Sequence, residues 1–210
     1  MYAKMSRYHN YRARSAYKLI QIDDKYKLLK PGMVVIDAGA APGSWTQVIC
    51  ERLKLNEEHN KKAKSGICLA IDLAAIEPID GAICLGNADV TSPFTQAKLL
   101  SWLDNRKVDC IFSDMSPNAT GQKFVNHTRI VKLVDQLLSF AVQILKPGTG
   151  VFLAKIFAGD ETERLEGDMR GYFADFSYIK PDASRGDSTE LYVLGRKFGC
   201  GTKGIINGGT

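Results

Sequence analysis

Apolar residues in this chain gather into short continuous runs, separated by stretches in which they recur every three or four positions. The runs MVVIDAG (33–39), ICLAIDL (67–73), AICLGNADV (82–90), VDCIFSD (108–114) and GVFLAKIFAG (150–159) are short and largely unbroken, which suits buried strands. Helical spacing marks SAYKLIQIDDKYKLL (15–29), which halts at Pro31-Gly32, then SWTQVICERL (44–53), FTQAKLLSWL (94–103) and TRIVKLVDQLLSFAVQIL (128–145). Strands that are apolar on both faces, alternating with helices, imply a parallel sheet covered on both sides and joined by right-handed crossovers. DFSYIKP (175–181) and ELYVLGRKF (190–198) follow as neighbouring strands suited to an antiparallel edge. The pattern predicts one α/β domain over residues 15–198, built on a mostly parallel seven-stranded sheet with helices on both faces. An arm (1–14) precedes it, a charged insert (54–66) interrupts it, and a glycine-rich tail (199–210) follows.

Composition adds limits. The chain has 210 residues, 45% hydrophobic and 24% charged, and no apolar stretch approaches the roughly 20 residues of a membrane span. Five widely spaced cysteines, with no C-x-x-C pair and no histidine cluster beside them, read as buried, reduced thiols in a reducing compartment, and no metal site is expected. The net charge of +5 is concentrated: the first thirty residues hold eight Lys or Arg against Asp23 and Asp24. Tyrosines interleaved with these cations suit contact with phosphates and bases.

In a sheet of this kind ligands bind outside the carboxyl ends of the strands, near the point where the strand order reverses. The first strand ends in DAGAAPGSW, whose small residues let a ligand approach the backbone. Its G-x-x-x-G spacing is not the G-x-G-x-x-G of a dinucleotide site. Pro42 also removes a donor that a pyrophosphate would use, so the loop suits a nucleoside or amino-acid portion better. Asp72 ends the second strand, where a ribose diol is commonly bound, and Asp89 follows the third. Asp114 ends the fourth. Lys155 lies inside an apolar strand, where an ammonium requires a carboxylate partner or a task, and Asp114 on the neighbouring strand can provide both.

The blocks YRARSAYKL, DAGAAPGSW, SDMSPNATG, FLAKIF and KPDASRGDSTELYVLG, in this order, resemble the FtsJ (RrmJ-like) 2′-O-ribose methyltransferases of ribosomal RNA, most nearly their mitochondrial branch. The resemblance implies a class I, Rossmann-like methyltransferase that uses S-adenosylmethionine and releases S-adenosylhomocysteine, without a metal. It places Pro42, Gly43, Ser44 and Trp45 on the methionine side of the cofactor, Asp72 on its ribose and Asp89 on its adenine, with Asp114 at the same site. The family's Lys-Asp-Lys-Glu tetrad falls on Lys18, Asp114, Lys155 and Glu190. The substrate implied is a nucleotide, in that branch a uridine, of large-subunit ribosomal RNA within a precursor particle. A mitochondrial matrix location is favoured over a cytoplasmic or nucleolar one, and a monomer is expected.

Methyl transfer to a ribose hydroxyl needs in-line approach, loss of the hydroxyl proton and exclusion of water. On this reading Lys155 orients and deprotonates the 2′-hydroxyl, Asp114 and Glu190 hold its ammonium, and Lys18 tunes the cluster or steadies the developing alkoxide. Arg12, Arg14, Lys18, Lys180, Arg185, Arg196 and Lys197 form the expected track for RNA phosphates. Two alternatives belong to other classes: a non-catalytic RNA-binding or ribosome-assembly factor, and a nucleotide-dependent reductase, which the proline-bearing loop disfavours. Met115 and Ser116 also depart from the Asn/Asp-Pro-Pro-aromatic loop of base-amino methyltransferases.

Overall fold

A computed structural model describes residues 10–55, 66–117, 123–184 and 188–203. In chain order the elements are α1 (Ala16–Tyr26), β1 (Val34–Ala38), α2 (Ser44–Leu53), β2 (Ile67–Ile71), β3 (Ala82–Leu85), α3 (Pro93–Leu103), β4 (Cys110–Ser113), α4 (Lys123–Ile144), β5 (Val151–Phe157), α5 (Thr162–Tyr172), β6 (Phe173–Ile179) and β7 (Glu190–Phe198). The seven strands form one sheet in the order β3-β2-β1-β4-β5-β7-β6. β1 to β5 pair in parallel, and β7 runs antiparallel between β5 and β6. The order reverses between β1 and β4, so the loops after these strands diverge and leave a crevice.

Strand alternation divides the core into two layers. Ile36, Ile111, Phe152, Ala154 and Val193 pack under α3, α4 and α5. Val35, Phe112, Leu153, Tyr192 and Leu194 point to the opposite face, where α1 and α2 cover them through Leu19, Ile22, Val48 and Ile49. This period of two decides which face every polar strand residue occupies.

Differences from the expected elements are local. α1 ends at Tyr26 because Lys27 turns left-handed and donates its N–H to Asp23 O, so Leu28 and Leu29 are buried outside the helix. α5 was not anticipated, because its sequence TERLEGDMRGY carries two glycines and only a narrow apolar stripe; Leu165 and Met169 bury that stripe. β3 stops at Leu85, leaving Asp89 on a loop. Cys50, Cys68 and Cys110 are buried thiols, whereas Cys84 is half-buried and Cys200 exposed. Most of the charged insert and of the tail lies outside the described residues.

β1 is buried throughout yet contains an aspartate. Asp37 shares its face with Val35, turned toward α2, where Thr46 Oγ1 donates to Asp37 Oδ2 at 2.7 Å. Its other oxygen, Oδ1, is a buried acceptor without a partner among the described residues. Burial pushes the carboxyl up to about 7, the nearby Asp114 and Asp72 add to the rise, and the Thr46 bond opposes it. Between about pH 4 and 7 the folded chain therefore holds a proton that the unfolded chain has released, so this group lowers stability as pH rises through that window. Asp37→Asn removes the titration. Urea unfolding from pH 4 to 8 is expected to show wild-type stability falling relative to Asp37→Asn up to about pH 7 and levelling off above; a constant difference would contradict this account.

Candidate active site

The two lysines and two carboxylates of the expected tetrad come together at the carboxyl edge of the sheet, on the face covered by α1. Lys155 follows Leu153 by two positions and so shares its face. In the β5–β7 ladder Lys155 lies opposite Tyr192, and Phe157 opposite Glu190. Asp114 directly follows Ser113, which is paired with Ala154. Lys18 descends from α1, whose Ala16, Leu19 and Ile22 seat the helix on the sheet.

These groups form two ion pairs. Lys155 Nζ lies 3.0 Å from Asp114 Oδ1 and donates to the Asp114 main-chain oxygen at 2.6 Å. Lys18 Nζ donates to Glu190 Oε1 at 2.6 Å, and Ser184 Oγ donates to the same oxygen at 3.0 Å. Both lysines are buried, at 6% and 9% exposure; removing one partner of such a pair costs about 3–5 kcal/mol, because the other charge is left stranded. Glu190 thus holds Lys18 and not, as the sequence suggested, Lys155. The antiparallel register carries its carboxylate toward the helix.

Tyr192 joins the pairs. Its phenol donates to Asp114 Oδ1 at 2.7 Å, and the Lys18 ammonium stands 5.8 Å from its ring centroid. Burial, reinforced by the Asp114 and Glu190 carboxylates, raises this phenol well above its ordinary range, so it stays a donor. Sequence reasoning missed Tyr192. The available signal was its position two residues beyond Glu190, which alternation places on the same face.

A cleft of about 360 Å³ opens beside this cluster, with Gly39, Ala41, Asp72, Asp89, Asp114 and Met115 in its wall. Gly39 has φ of +78°, and a Cβ there would meet the Met115 main chain at 2.8 Å, so glycine lets the loops after β1 and β4 touch. Asp72 Oδ2 accepts the Ala41 N–H at 2.9 Å and its Oδ1 the Ala74 N–H at 2.7 Å. Asp89 Oδ1 accepts both the N–H and the hydroxyl of Thr91. Each carboxylate retains acceptor capacity toward the cleft. No cluster of three His, Cys, Asp or Glu suited to a metal occurs among the described residues.

Other expected site residues lie elsewhere. Pro42, Gly43, Ser44 and Trp45 stand beside the cleft and are not part of its wall. The Trp45 side chain is core: its indole N–H donates to Ser15 O at 2.8 Å, and its ring stacks on Tyr192 at 5.7 Å and meets Phe112 edge-on at 6.4 Å. Ser44 Oγ is 2.8 Å from Ser15 Oγ. The Arg12 guanidinium bonds main-chain oxygens. Arg14 leads into α1, and Lys180 follows β6 at the catalytic edge, donating to Ser188 O at 3.1 Å. Arg185 lies outside the described residues. Arg196 and Lys197 are at the opposite edge, because β7 runs antiparallel to β5, and both pair with Asp175, at 3.4 and 3.1 Å; they do not extend the track.

His127 is a second residue that the sequence did not flag. It is buried on α4 and bridges the turn after β5: the Glu161 N–H donates to Nε2 at 2.9 Å, so Nδ1 carries the proton and donates to Phe157 O at 2.7 Å. Gly159 lies flat against the ring, where a Cβ would collide. The imidazole thereby pins the turn that ends the Lys155 strand.

Known proteins carry the same arrangement of sequence and fold. Residues 11–198 match the FtsJ-like methyltransferase family. The chain is 41% identical to the mitochondrial rRNA methyltransferase 2 of Drosophila melanogaster, over 94% of this chain and 78% of that one. It is 42% identical to the ribosomal RNA large subunit methyltransferase E of Xanthobacter autotrophicus, over 94% and 74%. A crystal structure described as a ribosomal RNA methyltransferase from Plasmodium falciparum superposes with a TM-score of 0.77 at 29% identity, covering 90% of this chain and 98% of that one. With the match spanning the sheet, the cleft and all four charged residues, the chain belongs to the FtsJ-like methyltransferase family.

Proposed function

We propose that the protein transfers a methyl group from S-adenosylmethionine to a ribose 2′-oxygen of ribosomal RNA, at a uridine of the large subunit. One observation carries the reading: Asp114 lines the cleft and also pairs with Lys155, so a donor in the cleft would meet an acceptor held by the lysine. The cleft fits an adenosine bearing an amino acid. Its carboxylates at successive strand ends suit ribose and adenine donors, and Gly39 and Ala41 leave room for the methionine portion. Ser44 and Trp45, at the start of α2, would contribute main-chain N–H groups rather than side chains.

When bound, S-adenosylmethionine supplies an electrophilic methyl group on a sulfonium. The chain supplies orientation and a proton acceptor. Two Lys155 hydrogen-bonding directions are fixed on Asp114, which aims the remaining one toward the acceptor ribose. Once its ammonium has given a proton up to solvent, the Lys155 amine would accept the 2′-hydroxyl proton, and Asp114 would stabilise the ammonium that re-forms. Tyr192, donating to the same carboxylate oxygen, keeps it from turning away. The Lys18–Glu190 pair closes the α1 side and excludes water.

The names of the relatives support ribosomal RNA as substrate, and that of the Drosophila protein supports a mitochondrial location. We take residues 15–198 as a single catalytic domain acting as a monomer on a large-subunit precursor particle. Arg14 and Lys180, at one edge of the sheet, would face its phosphates, whereas Lys18 is buried against Glu190 and would not.

With a labelled methyl donor and ribosomal RNA, Lys155→Ala is expected to abolish transfer while donor affinity stays within a few fold; near-normal turnover would remove Lys155 from the mechanism. Tyr192→Phe deletes one hydrogen bond to a charged group, about 1.5–3 kcal/mol, and should reduce kcat by ten- to a hundredfold with KM little changed. RNA affinity should fall steeply with salt, and Arg14→Ala should reduce the slope of log K against log salt by about one. A slope equal to wild type would exclude Arg14 as a phosphate contact.

A further inference from the structure

Arg12 belongs to the basic arm and is exposed, yet its guanidinium is bonded to main-chain carbonyls. Nη1 donates to Pro42 O at 3.0 Å and to Glu77 O at 2.8 Å, and Nη2 donates to Pro78 O at 2.7 Å. These carbonyls come from two loops: the one after β1, which carries Gly39 and Ala41, and the one after β2, which carries Asp72 and Leu73. Both loops line the cleft. On the cleft side, Asp72 already ties them through the Ala41 N–H. Arg12 ties them on the outer side, so the β1 loop is held from both directions.

The surrounding segment is secured as well. Arg12 N–H donates to Gln47 Oε1 at 2.9 Å, Gln47 Nε2 donates to Asn10 O at 3.1 Å, and Tyr11 OH donates to Glu51 Oε2 at 2.6 Å. Residues 10–12 thus form a strap across α2. Space beside the loop is reserved for it: at Gly43, where φ is +112°, a Cβ would come within 3.0 Å of Arg12 Nη1 and 2.4 Å of Ile79 Cδ1. Each hydrogen bond, at the solvent boundary, contributes little alone. Three from one rigid planar fork fix a distance between two loops, which a lysine's single ammonium cannot do.

We propose that Arg12 is a positioning residue for the methyl donor, setting the separation of the two loops that bound the cleft, and is not a phosphate contact. The proposal rests on reading that cleft as the donor site. It also makes the seating of the basic arm and the affinity for the donor parts of one equilibrium, since a displaced strap frees the β1 loop.

The test measures two affinities on the intact chain: S-adenosylhomocysteine by calorimetry and a ribosomal RNA fragment across a salt series. Arg12→Lys keeps a cation for phosphate but loses the fork. It is expected to weaken S-adenosylhomocysteine about tenfold or more while the RNA salt slope stays at wild type. Arg12→Ala should weaken it at least as much, again without changing the slope. If thermal unfolding shows that Arg12→Ala does not fold, Gln47→Ala replaces it, loosening the strap at its main-chain anchor with a severalfold loss expected. S-Adenosylhomocysteine affinity within twofold of wild type in these variants would overturn the proposal, as would an Arg12→Ala slope lower by about one. Failure of the wild type itself to bind S-adenosylhomocysteine would instead bring down the donor reading, and this proposal with it.

Discussion

An ammonium placed inside an apolar strand is the constraint around which the molecule is arranged. Lys155 can occupy its place in β5 on the α1 face because Asp114 meets it from the next strand with both a carboxylate and a main-chain oxygen. Tyr192, across the ladder on the other side, stabilises that carboxylate, and the second pair, Lys18 with Glu190, balances the charge that α1 would otherwise bury alone. Removing any one member strands its partner in a site where water cannot compensate. The cluster thereby joins three strands and a helix in one electrostatic unit.

The parallel order of the sheet gives that unit its neighbour. Because the chain winds outward through β2 and β3 and then returns to β4, the connections after β1 and β4 lead away in opposite directions beyond the Gly39–Met115 contact, and Asp114 sits at the seam between cleft and cluster. On the proposed reading, donor and acceptor would approach from different sides of that one residue. Two of the loops in the cleft wall are held from both directions: by Asp72 on the cleft side through two N–H groups, and by Arg12 on the outer side through three carbonyls.

The residues whose side-chain direction a sequence reading does not give share a physical cause. Trp45, which the resemblance places on the methionine side of the cofactor, has its side chain rotated by the first turn of α2 onto Phe112 and Tyr192 in the core. Arg196 and Lys197 look like a continuation of a basic track, but the antiparallel course of β7 carries them to the far edge, where Asp175 neutralises them. Arg12 counts as a free charge in any tally, while its guanidinium is committed to backbone. In each case residue type is visible in the chain and direction is not.

Continuous apolar runs and their alternation with helical spacing were enough to determine the layered α/β sheet, its antiparallel edge and the strand ends at which chemistry would occur, because burial on both faces leaves few other solutions. The five ordered blocks were enough to name the four charged residues. Partnership was decided by tertiary structure alone. That Glu190 pairs with Lys18, that Tyr192 shares the Asp114 oxygen, and that Arg12 spans two loops depend on strand register and on helix rotation. Both are fixed by long-range packing of the two core layers, and the local spacing of residues along the chain carries no record of either.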